Sequence, residues 1–120
     1  MKVTLRTIID SADGAKKLGT LKLKAKFAYE LSKSIEIIEK EHKAFTAIRN
    51  KKIKEYGVEN KQKRGTYTFE GDSQVKLQQD LDNLLDKELD LNMEKFSINE
   101  LKDVDLEANI LRKLSWLIKG

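Results

Sequence analysis

The sequence predicts a mainly α fold, an α+β arrangement in which one long central helix carries about three shorter helices and a small two-stranded β element. Three observations predict it. Phe27, Leu31, Ile35, Ile38, His42, Phe45 and Arg49 follow one another by four, four, three, four, three and four positions, which is the seam of a single long helix. Lys, Glu, Leu and Ile dominate a chain that is 37% charged and 39% hydrophobic, a mix typical of amphipathic helices. Two short stretches, "TYTFEG" and "ELDLNMEKF", instead alternate with the period of a half-buried strand. At 120 residues the expectation is a single helical domain over 1–120, with a basic loop around 57–65.

Thr4 is the expected N-cap of a first helix, "LRTIIDSADGAKKL", with Leu5, Ile8, Ile9 and Ala12 on one side. Gly14 weakens its middle and Gly19 marks its end. The long helix follows, with Glu36–Lys40 and Glu39–Lys43 as acid-first i,i+4 pairs. Gly57 is a fitting stop, and Lys51, Lys52 and Lys54 lie near the negative end of the helix. Started near Leu23, it holds about 34 residues and spans roughly 50 Å, so one end must project or pack on another copy. "VENKQKRG" reads as a polar loop. Ser73 is the expected cap of a third helix with Leu77, Leu81, Leu84 and Leu85 inward. "SINE" fits a capping box of Ser97 with Glu100, and Asp105 is placed to cap a last helix, "LEANILRKLSWLI". The two strands, 66–70 and 88–96, are expected to pair with each other.

The chain has no cysteine, which removes disulfides, thiolate zinc sites and thiol catalysis. It has no proline either, so glycines and polar caps must end its helices. No N-terminal apolar run suits a signal peptide and none is long enough to span a membrane, so a cytoplasmic protein without membrane contact is expected. The net charge of +4 is unevenly spread: residues 49–69 carry +5 and residues 70–107 carry −8. An acidic third of the chain is thus available to neutralise the basic segment on folding.

The short first helix, the segment "LKLKAKFAYELSK", the long charged helix ending in "KEYG", the acidic "LLDKELDLNMEKFSINEL" and the closing leucine-rich helix together resemble a group of small proteins encoded in phages and prophages of Gram-positive bacteria. Members of that group often carry a proline where this chain reads Leu23-Lys24-Ala25, so the start of the long helix is left open here. The resemblance implies a phage setting in a bacterial host cytoplasm. It supplies no site residues.

Four features invite a functional reading. Arg49, Lys51, Lys52, Lys54, Lys61, Lys63 and Arg64, with Tyr56, Tyr67 and Phe69, supply the cations and aromatics that nucleic-acid binding uses. No nucleic-acid-binding signature accompanies them, so a solvated helix end and loop is the favoured reading. His42 is the one histidine and has Ile38, Phe45 and Thr46 at helical spacing, a poor ligand set that favours a structural role. The acidic run from Asp80 to Glu94 lacks the glycine and alternate ligands of a calcium loop, since "DLDNLLDKELDL" puts Asn83, Leu84 and Leu85 in those places. No metal or cofactor is expected. On the wheel of the last helix, Trp116 falls opposite the apolar arc, beside Asn109 and Arg112, and an exposed Trp–Arg pair is a typical interface anchor. With one histidine and no phosphate-cradling glycine motif, no enzyme is expected. The sequence therefore favours a non-enzymatic protein-binding module. Its phage setting suggests a host protein as target, an antiviral defence component being one such class. A homo-oligomeric phage structural or assembly factor and a nucleic-acid-binding protein using residues 49–69 are the alternatives.

Overall fold

A computed structural model describes residues 1–120. Its elements, in chain order, are β1 (Lys2–Thr4), α1 (Leu5–Gly19), α2 (Ala25–Tyr56), β2 (Val58–Glu59), β3 (Tyr67–Thr68), α3 (Ser73–Leu85), β4 (Glu88–Asp90), β5 (Phe96–Ser97), α4 (Ala108–Lys113) and β6 (Ile118–Lys119). Short 3-10 turns at Ile98–Leu101 and Ser115–Leu117 flank α4. No helix is long and apolar enough to cross a membrane.

Thr4 caps α1 as its sequence implies, its Oγ1 accepting a hydrogen bond from the Thr7 amide at 3.3 Å. Thr20 closes the other end through a 2.6 Å bond from its hydroxyl to the Lys17 carbonyl. The buried Ser11 hydroxyl spends itself on the Thr7 and Ile8 carbonyls, so no buried donor is left open there. α1 lies antiparallel on α2: Gly19 faces Ile35, and Leu5 reaches Phe45 and Ile48. A Cβ on Gly19 would sit 2.8 Å from Ile35 Cδ1, so a side chain there would make the tip of Ile35 move aside.

α2 starts at Ala25 and runs 32 residues. It sets the long axis of a molecule measuring 52 × 30 × 22 Å. Its buried residues are Phe27, Leu31, Ile38 and Phe45. The seam stops there: His42 and Arg49 are exposed and Ile35 is half-buried. For Arg49 the physical reason is the length of α1, which begins at Leu5 beside Phe45 and does not reach further along α2; His42 lies beside Ala12, Asp13 and Lys16 at the edge of α1 and stays open to solvent. The pairs Glu36–Lys40 and Glu39–Lys43 do not close to ion-pair distance.

The core gathers Ile8, Ala15 and Leu18 of α1, Phe27, Leu31 and Ile38 of α2, Met93, Leu101, and Ile110, Leu114 and Leu117 from the C-terminal segment. Phe27 meets Phe96 edge-on, with ring centroids 5.0 Å apart, a favoured aromatic geometry. α4 lies on α1 at Gly14, with Ile110 and Leu114 beside it.

Several expectations are corrected by the strand pairing and the helix ends. Residues 66–70 do not pair with 88–96. Tyr67–Thr68 pairs antiparallel with Val58–Glu59, so part of the expected polar loop is a hairpin strand. The 88–96 stretch is cut in two. Glu88–Asp90 pairs antiparallel with Lys2–Thr4, and Phe96–Ser97 pairs parallel with Ile118–Lys119. Its alternation nevertheless holds, with Leu89, Leu91 and Met93 inward and Asp90, Asn92 and Glu94 outward. The last helix is only six residues long and is entered at Glu107 rather than Asp105, because residues after Lys113 tighten into a 3-10 turn that feeds β6. Ser73 is the first residue of α3 and not its cap, which is Asp72. Ser97 does cap its turn, through the Asn99 amide at 3.2 Å.

Candidate functional site

The structure separates the residues singled out in the sequence. Trp116 is corrected from an outward anchor to a half-buried one. It packs against the core, and its indole Nε1 is buried without a hydrogen-bond partner. The shortening of α4 explains this: the 3-10 turn rotates Trp116 away from the face it would occupy on a continuous helix. Arg112 and Asn109 stay exposed and bond to each other at 3.2 Å. Leu111 of α4 is among the exposed apolar residues.

The basic segment forms the projecting end of α2 and the β2–β3 hairpin. Lys52 is tied to Glu55 at 3.0 Å and Asp80 at 3.6 Å. Its pKa is raised, chiefly by the hydrogen bond to Glu55. Tyr56 donates to Asp80 at 3.4 Å. Arg49, Lys51, Lys54, Lys61, Lys63 and Arg64 are exposed and form no ion pair. Neutralisation by the acidic third is thus narrow, because Asp82 and Asp86 are spent on Arg6 of α1, at 3.5 and 3.2 Å. Those contacts raise the Arg6 pKa, with the Asp86 hydrogen bond the largest cause. Tyr67, Phe69 and Tyr56 are half-buried, and Tyr67 and Phe69 lie against Gly57, so they pack the hairpin onto the helix end. His42 stands exposed beside Ala12, Asp13 and Lys16 of α1.

A different feature has the geometry of a site. Between the first turns of α2 and the β4–β5 connection lies a cleft of about 270 Å³. Phe27, Leu31, Ile37, Met93 and Phe96 form its apolar part, and Glu30, Lys33, Ser34, Asn92, Glu94 and Lys95 make the rest of its lining polar. Tyr29 stands at 62% exposure on the same helix, with the Lys33 ammonium 4.5 Å over its ring. The sequence carried a signal for this cleft: Ile37 is an apolar residue off the seam, and Met93 sits in the strand-breaking "NMEK". Only the fold brings the two together. A second, smaller groove of about 120 Å³ lies between α2 and the end of α3, lined by Leu5, Ala44, Phe45, Ile48, Leu84 and Leu89, with Glu41 on one wall and Lys87 on the other.

Comparison with protein-family models, curated proteins and solved structures finds no match to this chain.

Proposed function

We propose that this chain is a non-catalytic protein-binding module that seats an apolar side chain of its partner in the cleft between α2 and residues 92–96. The observation that carries the reading is the cleft's make-up, five apolar side chains bordered by polar groups and charges of both signs. Protein interfaces concentrate their energy in such desolvated pockets bordered by a polar rim. The volume lies just under the roughly 300–1,000 Å³ of small-molecule sites and suits one or two side chains. The exposed Tyr29 beside it adds the residue type that interfaces favour. On the resemblance noted in the sequence, the setting is a phage protein in its host's cytoplasm, with a host protein, such as a defence component, as the one occluded. A photo-crosslinking residue placed at Lys95, on the rim, is expected to trap one host protein that the same residue at Arg64, on the hairpin, does not. The adduct is expected to vanish with Ile37→Gln. Identical adducts from both positions, or none, would reject the reading.

The smaller groove favours a second reading, self-association, as a structural or assembly factor would use. Ile48 is 43% exposed on its wall, and the opposite charges of Glu41 and Lys87 across it match a two-fold contact in which each meets the other's counterpart. Light scattering across a concentration series tests it. A monomer throughout would exclude it, and a dimer lost with Ile48→Glu would support it.

A further inference from the structure

The solvent face of α2 carries a pattern that the readings above touch only at Tyr29 and Lys33, beside the cleft. Counting by three and four from Lys26 gives Lys26, Tyr29, Lys33, Glu36, Lys40, Lys43, Ala47, Lys51 and Lys54, and every one of these residues is exposed. At 100° per residue they fall within one arc, diametrically opposite Phe27, Leu31, Ile38 and Phe45. Six of the nine are lysines and one is acidic. None of the six lysines is ion-paired. The line is about 42 Å long, the length of about 12 base pairs.

We infer that this lysine line is a docking edge for the phosphate backbone of double-stranded nucleic acid, without base readout. Four physical points favour that ligand. The line is straight, because it follows one face of a continuous 32-residue helix whose opposite face is buried from Phe27 to Phe45, so its points of attachment keep a fixed spacing. It is one helix-face wide and convex, which matches a linear polyanion. A membrane-lying helix would need its apolar face free for lipid, and here that face is buried. Its cations are all lysines, compact point charges suited to phosphates and lacking the arginine fork that reads bases or grips carboxylates in pairs. The duplex is favoured over a single strand because the aromatics that would stack bases, Tyr56, Tyr67 and Phe69, are half-buried against the helix end. A duplex also offers a charge every 1.7 Å or so along its axis, about twice the density of one strand. At the Lys54 end the hairpin continues the same sign with Lys61, Lys63 and Arg64.

Fluorescence anisotropy with labelled duplexes of two unrelated sequences, each about 30 base pairs long, tests the inference. Equal affinity for both sequences is expected. The log–log slope against salt should be about −5, so that affinity falls about a thousandfold between roughly 50 and 200 mM. Lys40→Gln with Lys43→Gln should make the slope shallower by about 2. Lys102→Gln with Lys119→Gln, the same charge change on exposed positions elsewhere, should leave it unchanged. Ile37→Gln, which alters the cleft, should bind the duplex as the parent does, so the two claims fail separately. An equal effect of both lysine pairs, no binding at low salt, or binding to anionic phospholipid vesicles but not to duplex would each overturn the proposal.

Discussion

The two ends of α2 are held by different physics. Over its first five turns, Phe27, Leu31 and Ile38 enter a core shared with α1, α4 and the C-terminal strand. Beyond Phe45 no side chain is buried until Leu77, although that interval includes the last three turns of the helix and a hairpin. There α2 is accompanied by α3 and by polar contacts: Lys52 with Glu55 and Asp80, and Tyr56 with Asp80. Apolar burial stabilises by about 25 cal/mol per Å², whereas exposed ion pairs contribute about 0–1 kcal/mol each. The helix therefore outruns its core. Its far end persists on intrinsic helix preference, the absence of proline and a thin layer of partners. The proposed protein-binding cleft sits on the well-packed end, and the unpaired cations extend to the thin one.

The largest effect expected from this contrast is in the core. Phe27→Ala should cost about 3–5 kcal/mol in urea unfolding, while Leu77→Ala should fall near the low end of the leucine range, about 2 kcal/mol, because less surrounds it. Equal losses would erase the distinction between the ends. Next comes Gly57→Ala. The new Cβ would lie 2.9 Å from the Ile53 carbonyl oxygen and 3.1 Å from both Tyr67 and Phe69, so the hairpin must shift. A loss of about 1–3 kcal/mol is expected, with hydrogen exchange rising in β2 and β3 and unchanged around Phe27. Gly14→Ala should act in the opposite direction. Its Cβ would meet Ile110 and Leu114 at 3.7 and 3.8 Å, ordinary contact, so the lower entropy cost of alanine in a helix should raise stability by about 0.5–1 kcal/mol. The smallest effect is electrostatic. The pKa of Lys52 is raised in the folded state, so its contribution is complete below pH 10.5 and is lost as the pH climbs through the raised value. Thermal scans above pH 10.5 should show a slightly shallower decline for Lys52→Met than for the parent.

Trp116 and Gly57 show where local reading ends. Trp116 was placed outward by extending one helical period across "LEANILRKLSWLI", and the period breaks after Lys113 because Phe96–Ser97 captures Ile118–Lys119 as a strand. Gly57 reads in the sequence as a helix stop. It does end α2, but in extended backbone, and it is required for the closeness of Tyr67 and Phe69. The cleft is only half legible for a related reason: Ile37 and Met93 each stand out locally, but they lie 56 positions apart in the chain and no local pattern links them.

The first three helices, the Thr4 cap, the inward leucines of α3 and the alternation through Met93 are legible in the sequence alone, since each depends on neighbours within one turn or one strand. The lysine line too was written there at helical spacing. Tertiary structure alone decided which strands pair, where the seam of α2 stops, which acids meet which bases, and how Trp116 turns. Strands of two or three residues carry too little side-chain pattern to choose a partner, so their pairing falls to whichever segments the packed helices bring within hydrogen-bonding reach.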